Sequence, residues 1–164
     1  HSTGGYRERR ASCEQGAAAM GAESLRDLSV HDLERAASVM DEVTFRRVRH
    51  VVTENERVLE TVRVLRESGP RAIGELLLTS HASMRDDFEI SVPELDTAVE
   101  AAMSGGAIGA RMTGGGFGGA AIALVARDTL TAVTDAVTAA FSTSGFRAPR
   151  IFTVQPSAGA HRDS

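Results

Sequence analysis

Thr113-Gly114-Gly115-Gly116-Phe117-Gly118-Gly119 constrains this chain more than any other stretch, because five of its seven residues lack a Cβ. The backbone there can enter regions closed to other residues, and it can approach a ligand or another segment closely. Several N–H groups turned into one concavity would suit phosphate. The letters also match GxGxxG, from Gly114 through Gly116 to Gly119. A dinucleotide fingerprint, however, needs a strand, a glycine turn and then a helix. Here residues 120–125, with Ile122, Leu124 and Val125, read as a strand. The run therefore joins two strands. On its own it reads either as a flexible hairpin turn or as a ligand-contacting loop, and a flexible turn has little need of Phe117 at its centre.

What surrounds the run narrows the chemistry. The chain has 164 residues, enough for one domain with a real core. Its net charge of −4, one Tyr and no Trp argue against a nucleic-acid partner, which calls for basic patches and stacking aromatics. No Lys occurs anywhere. That excludes the Walker-A loop, whose Lys reaches the terminal phosphates, and a Schiff-base lysine. A single cysteine, Cys13, can form no internal disulfide, and no zinc-type spacing is present. A reduced, cytoplasmic setting fits this usage, and Cys13 reads as a small buried hydrophobe. No apolar run approaches the roughly 18–20 residues of a membrane span, so no membrane partner is expected. The first residue is His1 rather than Met, which is read as a missing N-terminal portion.

Along the chain, residues 6–20 read as a helix preceded by Gly4 and Gly5 and closed by Gly21. Ser29 and Asp32 have capping-box spacing. A longer helix begins near Asp41, with Val48, Val51, Val52, Asn55, Leu59 and Val62 on one face, and ends at Ser68-Gly69-Pro70. Another follows to about Asp87. Ser91-Val92-Pro93-Glu94 reads as a second capping box, opening a helix with Leu95, Val99 and Met103 that stops at Ser104. Strands are expected over 108–113, 119–126 and 150–154, with a helix from Asp128 to about Ser144. The fold class is α+β, with helices packed on one face of a small, mainly antiparallel sheet. Residues 1–155 form the domain, and 156–164 read as a disordered tail.

Other polar groupings are read plainly. His81, Ser83 and Asp87 hold the residue types of a nucleophilic triad, but they are crowded in one helical segment, where His81 and Ser83 do not share a face. Asp86 and Asp87 are adjacent and point apart, so no metal site is assigned. Arg46, Arg47, Arg49 and His50 read as a solvated helix face balanced by Asp41, Glu42 and Glu54.

Four longer strings carry a resemblance. GARMTGGGFGG resembles the third conserved motif of the GHMP kinases in its galactokinase form. SHASMRDDFEISVPELD (80–96), RHVVTENERV (49–58) and GYRERRASCE (5–14) resemble further galactokinase blocks, in the family's order, so that together they cover nearly the whole chain.

The resemblance implies transfer of the γ-phosphoryl group of ATP, with Mg2+, to the 1-hydroxyl of galactose. Its site lies between two domains. The missing N-terminal kinase domain brings the acidic sugar-binding motif, the serine-rich phosphate loop, the magnesium ligands and the catalytic Asp with its partner Arg. None of these strings occurs here, so the resemblance implies no catalytic residue and no metal ligand in this chain, and no activity of the chain alone. Two elements carry over: Tyr6, at the position of the family tyrosine that contacts galactose, and the loop of Gly114, Gly115, Gly116, Phe117, Gly118 and Gly119, which packs near the sugar and the phosphate loop. Where the family often has Cys after the loop, this chain has Ala120. The family also has a strand preceding the position of His1, which would leave the sheet one strand short. Two alternatives stand beside this reading: a kinase for another sugar such as N-acetylgalactosamine, and a non-catalytic sugar-sensing relative.

Overall fold

The computed structural model describes residues 2–159. Helix α1 (Ser2–Ala19) leads through two 3-10 turns, Leu25–Asp27 and Val30–Asp32, into the short α2 (Leu33–Val39). The long α3 (Glu42–Ser68) follows, then the 3-10 turn Pro70–Ile73, α4 (Gly74–Asp86) and α5 (Pro93–Ser104). A hairpin of β1 (Gly109–Thr113) and β2 (Ala120–Leu124) comes next, and α6 (Leu130–Thr143) is the last regular element among the described residues.

The helix boundaries follow local chemistry. Asp41 caps α3: its carboxylate accepts from the Thr44 N–H at 2.9 Å and from the Thr44 hydroxyl at 2.7 Å. Gly69 ends the helix at φ +78. The Ser29–Asp32 box forms, with the Ser29 N–H donating to the Asp32 carboxylate at 2.9 Å, but it opens a 3-10 turn that runs directly into α2. The second expected box does not form. Val92 is the N-cap of α5, and Ser91 instead donates its hydroxyl to Asp96 Oδ1 at 2.6 Å. With Pro93 at the first helical position, one orphan N–H has already been removed, so the cap has less to satisfy.

The hairpin is antiparallel, with Ala110 opposite Ala123, Arg111 opposite Ile122 and Met112 opposite Ala121. Alternation sorts the faces. Ala110 and Met112 are buried, while Ile122 on the other face is exposed. Helix α5 packs on both strands, α4 lies against β1, and α6 stacks on α5. Three apolar clusters result. One joins α5, α6 and β1 through Val99, Ala110, Val133, Val137 and Phe141. A second joins α1, α2 and the N-terminal half of α3 through Ala17, Met20, Ala36, Val48 and Val52. The third is small, holding Met84, Ile90, Leu95 and Met112, with Phe117 packed on it. It sits beneath the glycine run.

Three expectations change here. Helix α1 begins at Ser2 and takes Gly4 and Gly5 into its body. The apolar stripe of α3 is buried only in its first half; Leu59 is 66% exposed and Val62 is also exposed. No strand forms over 150–154, where the backbone is irregular and Phe152 is 71% exposed. Strand propensity reports fit to a half-buried pleated surface, and no strand among the described residues pairs with this segment. Of the expected tail, residues 156–159 are exposed and without regular structure, and 160–164 lie outside the described residues.

Candidate functional site

The glycine run forms a loop of largely left-handed backbone, interrupted at Gly115. Gly114, Gly116, Gly118 and Gly119 lie at φ +90, +85, +120 and +106, and Phe117 joins them at φ +60. An L-residue in that region is uncommon, and for a bulky aromatic it is strained. The loop walls an open hollow of about 520 Å³ lined by residues 113–120. Additional contacts hold Phe117 in place. Its N–H donates to the Ile90 carbonyl at 2.7 Å. Its side chain packs on the cluster of Met84, Ile90, Leu95 and Met112, and its ring lies against Gly5 of α1. A Cβ on Gly5 would stand 2.4 Å from the tip of the ring. The guanidinium of Arg9 lies 5.6 Å from the ring centroid, within cation–π range.

This arrangement brings together the two features singled out in the sequence. Tyr6 follows Gly5 on α1 and is 60% exposed. The Gly5–Phe117 contact therefore sets the turn of α1 that carries Tyr6 against the glycine loop. It also explains why Gly5 lies inside a helix at a propensity cost of about 1 kcal/mol: no other residue lets the ring so close.

Gly116 is the second point of close approach. A Cβ there would lie 2.5 Å from Ile90 Cβ and 2.8 Å from its carbonyl oxygen. Gly115 differs: a Cβ would meet nothing within 4 Å. One glycine faces the chain's own turn and its neighbour faces open space.

The turn that carries Ile90 is held by arginines. Arg9 donates Nε to the Phe88 carbonyl at 2.5 Å and a terminal N–H to the Glu89 carbonyl at 2.9 Å. Arg47 donates to the Asp87 carbonyl and to the Glu89 carboxylate, both at 2.5 Å. Arg49 forms a two-point pair with the Asp87 carboxylate. Glu89 is at φ +51, and the hydrogen bond from Arg47, with the charges of the nearby arginines, holds its carboxyl below the ordinary glutamate value. Arg47 is only 3% exposed and His50 is buried, so the expected solvated face of α3 is in part a buried clamp, with Arg46 and Arg49 half-buried beside it. Its acidic partners are Asp87 and Glu89, some forty residues away, rather than Asp41 and Glu42.

Behind the clamp runs a polar seam. His50 Nδ1 lies 2.8 Å from the Ser83 hydroxyl, and its ring stacks on Phe88 with centroids 4.5 Å apart. Burial pushes the imidazole down to about 4, against the pull of Glu54. Glu54 itself accepts from Ser80 at 2.5 Å and Arg111 at 3.2 Å, and it pairs with Arg57. His81 Nδ1 accepts from the Met112 N–H at 3.2 Å, and its Nε2 lies 3.1 Å from Asp96 Oδ1. Burial lowers the His81 pKa, which Asp96 opposes. His81, Ser83 and Asp87 thus face Met112, His50 and Arg49 respectively and form no triad. Sequence reading missed Arg9, Arg47, Glu54 and Arg111 as site-supporting residues. All but Arg47 stand inside the strings already noted, but charge spacing within a helix does not report a partner from another element.

Among the described residues no group of three or more His, Cys, Asp or Glu is placed to hold a metal ion. The described residues offer a glycine-lined loop packed on the turn of α1 that carries the exposed Tyr6. Among the same residues no helix is long and apolar enough to cross a membrane.

Comparison with known proteins agrees in each case. Residues 61–143 match the family described as GHMP kinases C terminal. The chain is 55% identical to a galactokinase from Streptomyces coelicolor over 164 residues, 99% of this chain and 42% of that protein. It is 46% identical to a galactokinase from Mycobacterium tuberculosis over 160 residues, 98% of this chain and 44% of that one. Its fold superposes with a TM-score of 0.83, at 38% identity, on the Lactococcus lactis galactokinase solved in complex with galactose, covering 88% of this chain and 39% of the other. The chain thus spans about two fifths of the length of the curated relatives it matches. The family match, the galactokinase relatives and the shared fold lead to one assignment: this chain belongs to the GHMP kinases, as a C-terminal domain of the galactokinase kind.

Proposed function

We propose that this chain is the C-terminal portion of an ATP-dependent galactokinase and that Tyr6 and the loop of Gly114–Gly119 form its sugar-side wall. In the reaction the 1-hydroxyl oxygen of galactose bonds to the γ-phosphorus, the bond from that phosphorus to the β,γ-bridging oxygen breaks, and ADP leaves. The hydroxyl proton passes to a base outside this chain. Such transfer depends on positioning and charge neutralisation more than on covalent chemistry by the protein. The domain, residues 1–155, supplies position. The Tyr6 phenol can donate to or accept from a sugar hydroxyl, and the bare Gly114 and Gly115 let a ligand or a second phosphate-binding loop come close. ATP and Mg2+ are held mainly by the rest of the enzyme. The observation that supports the reading is the packing of Phe117 on Gly5, the residue before Tyr6 on α1.

The test is to fuse the remaining portion of the S. coelicolor galactokinase to residues 1–164 and to measure galactose-dependent ADP release. The fusion should turn over galactose, and the 164-residue chain alone should release no ADP above buffer. A folded, soluble fusion without turnover, or activity of the chain alone, contradicts the proposal.

A further inference from the structure

Arg9 is 8% exposed, lies three residues after Tyr6 on α1, and reaches three elements at once. Its fork donates to two successive carbonyls, Phe88 at 2.5 Å and Glu89 at 2.9 Å. A third N–H is held by Glu8 at 3.0 Å, which fixes the plane of the guanidinium. The same group lies 5.6 Å from the centroid of the Phe117 ring. The carbonyls it binds immediately precede Ile90, whose own carbonyl holds the Phe117 N–H at 2.7 Å. Both left-handed non-glycine residues among those described, Glu89 and Phe117, sit in this assembly. Such conformations persist only where surrounding contacts over-determine them. Two carbonyls held by one planar fork do this well, since a guanidinium is pre-organised and an ammonium is not.

We infer that Arg9 is the positioning residue that sets the glycine loop against α1: it fixes the turn at 88–90, and that turn fixes Phe117 and Gly116. Arg47 supports the same turn from α3, through the Asp87 carbonyl and the Glu89 carboxylate, whereas Arg9 binds the two carbonyls that lead into Ile90 and lies over the Phe117 ring. Beside the packing of Gly5 on Phe117, Arg9 supplies the polar tie between α1, the turn and the loop. Its consequence for sugar binding rests on the proposed reading of that wall, whereas its hold on the loop does not.

The experiment is hydrogen exchange by mass spectrometry on the 164-residue chain, comparing the wild type with Arg9→Met and Arg9→Lys. Met keeps an unbranched apolar stem without the fork; Lys keeps the charge but cannot span both carbonyls. Peptides covering 86–91 and 113–119 should exchange about tenfold faster in Arg9→Met and about two- to fivefold faster in Arg9→Lys, while α6 peptides over 130–143 stay unchanged, because local opening is separable from global unfolding. Unchanged loop protection overturns the inference. So does an equal rise in α6, which would make Arg9 a general stability residue. If Arg9→Met does not fold, Arg9→Lys decides by the same criteria. In the fusion enzyme Arg9→Lys should raise the galactose KM while leaving the ATP KM in place. A looser loop with an unmoved galactose KM would uphold the positioning role and count against the sugar-side wall.

Discussion

Phe117 lays its ring on the bare Cα of Gly5, a contact so close that a methyl group at Gly5 would stand 2.4 Å from the ring tip. One missing carbon atom thereby joins the N-terminal helix to a loop more than a hundred residues away. Replacing glycine by alanine inside a helix ordinarily stabilises by about 1 kcal/mol. Gly4→Ala, where a Cβ meets nothing within 4 Å, should gain a few tenths of a kcal/mol or more. Gly5→Ala should lower the melting temperature despite the same propensity gain, because the ring must leave its seat beneath Arg9. Thermal melts of the two variants side by side check this; equal stabilisation would show that the contact is soft.

Gly115 and Gly116 should separate in the same way. Gly116 is at φ +85 and backs onto Ile90, so Gly116→Val should disorder the loop and cost stability. A Cβ at Gly115 would meet nothing within 4 Å, so Gly115→Val should change the stability of the chain by no more than about 0.5 kcal/mol. In the fusion enzyme the same variant should cut turnover by about a hundredfold, since small misplacements of reacting groups carry that cost. Near-normal turnover of Gly115→Val would reduce the loop to a turn. Phe117→Leu, which adds no branched Cβ, should be milder than Gly116→Val.

Acid should unfold the clamp through His50. Burial lowers its pKa from 6.5 to about 4. The unfolded chain takes up this proton as pH falls through 6.5, while the folded chain resists it until about pH 4. The unfolded state therefore binds more protons across that window, and stability falls as pH drops through it, by up to about 3 kcal/mol. His81 shifts in the same direction. Glu89, whose pKa is lowered from 4.5, adds its loss only below that value. Urea melts between pH 7.5 and 4 should show this slope, and His50→Asn should flatten it. A wild-type profile flat from 6.5 to 4 would contradict a buried neutral His50.

How much of this was legible in the sequence depends on how local each signal was. The glycine run, its flanking strands and most helix ends rest on neighbours within four residues, and they appear where the residues place them. The clamp was misread because the partners of Arg47 and Arg49 are Asp87 and Glu89, and no spacing rule within α3 can find a carboxylate on another element. Gly5 looked like a residue preceding a helix, since its purpose lies in the ring of Phe117. The strand expected at 150–154 failed for the converse reason: alternating Ile151 and other apolar residues make a strand only against a partner edge. Tyr6 and the loop could each be named from a resemblance, but the packing of Gly5 on Phe117 required the fold.

The surface left open should make the chain self-associate. Val58, Leu59, Val62 and Leu65 are exposed along α3, and Ile151, Phe152 and Val154 are exposed near the C-terminal end of the described residues. No other described strand pairs with the second edge of β2. Unpaired edges and apolar patches are association hazards. Sedimentation of the 164-residue chain at tens of micromolar should show oligomers that dissociate on dilution, and the fusion enzyme should suppress them. A clean monomer with a cooperative, high-temperature melt would count against this.

The claim that Tyr6 stands at the sugar is tested most directly by Tyr6→Phe in the fusion enzyme, with galactose and ATP constants measured in the same preparation. The change removes one hydroxyl from an exposed side chain and leaves the ring, the helix and the Gly5 contact intact. Losing one neutral hydrogen bond costs about 0.5–1.5 kcal/mol, so the galactose constant should rise roughly two- to tenfold while the ATP constant stays where it was. A galactose constant that does not move, beside an ATP constant that does, would contradict the account.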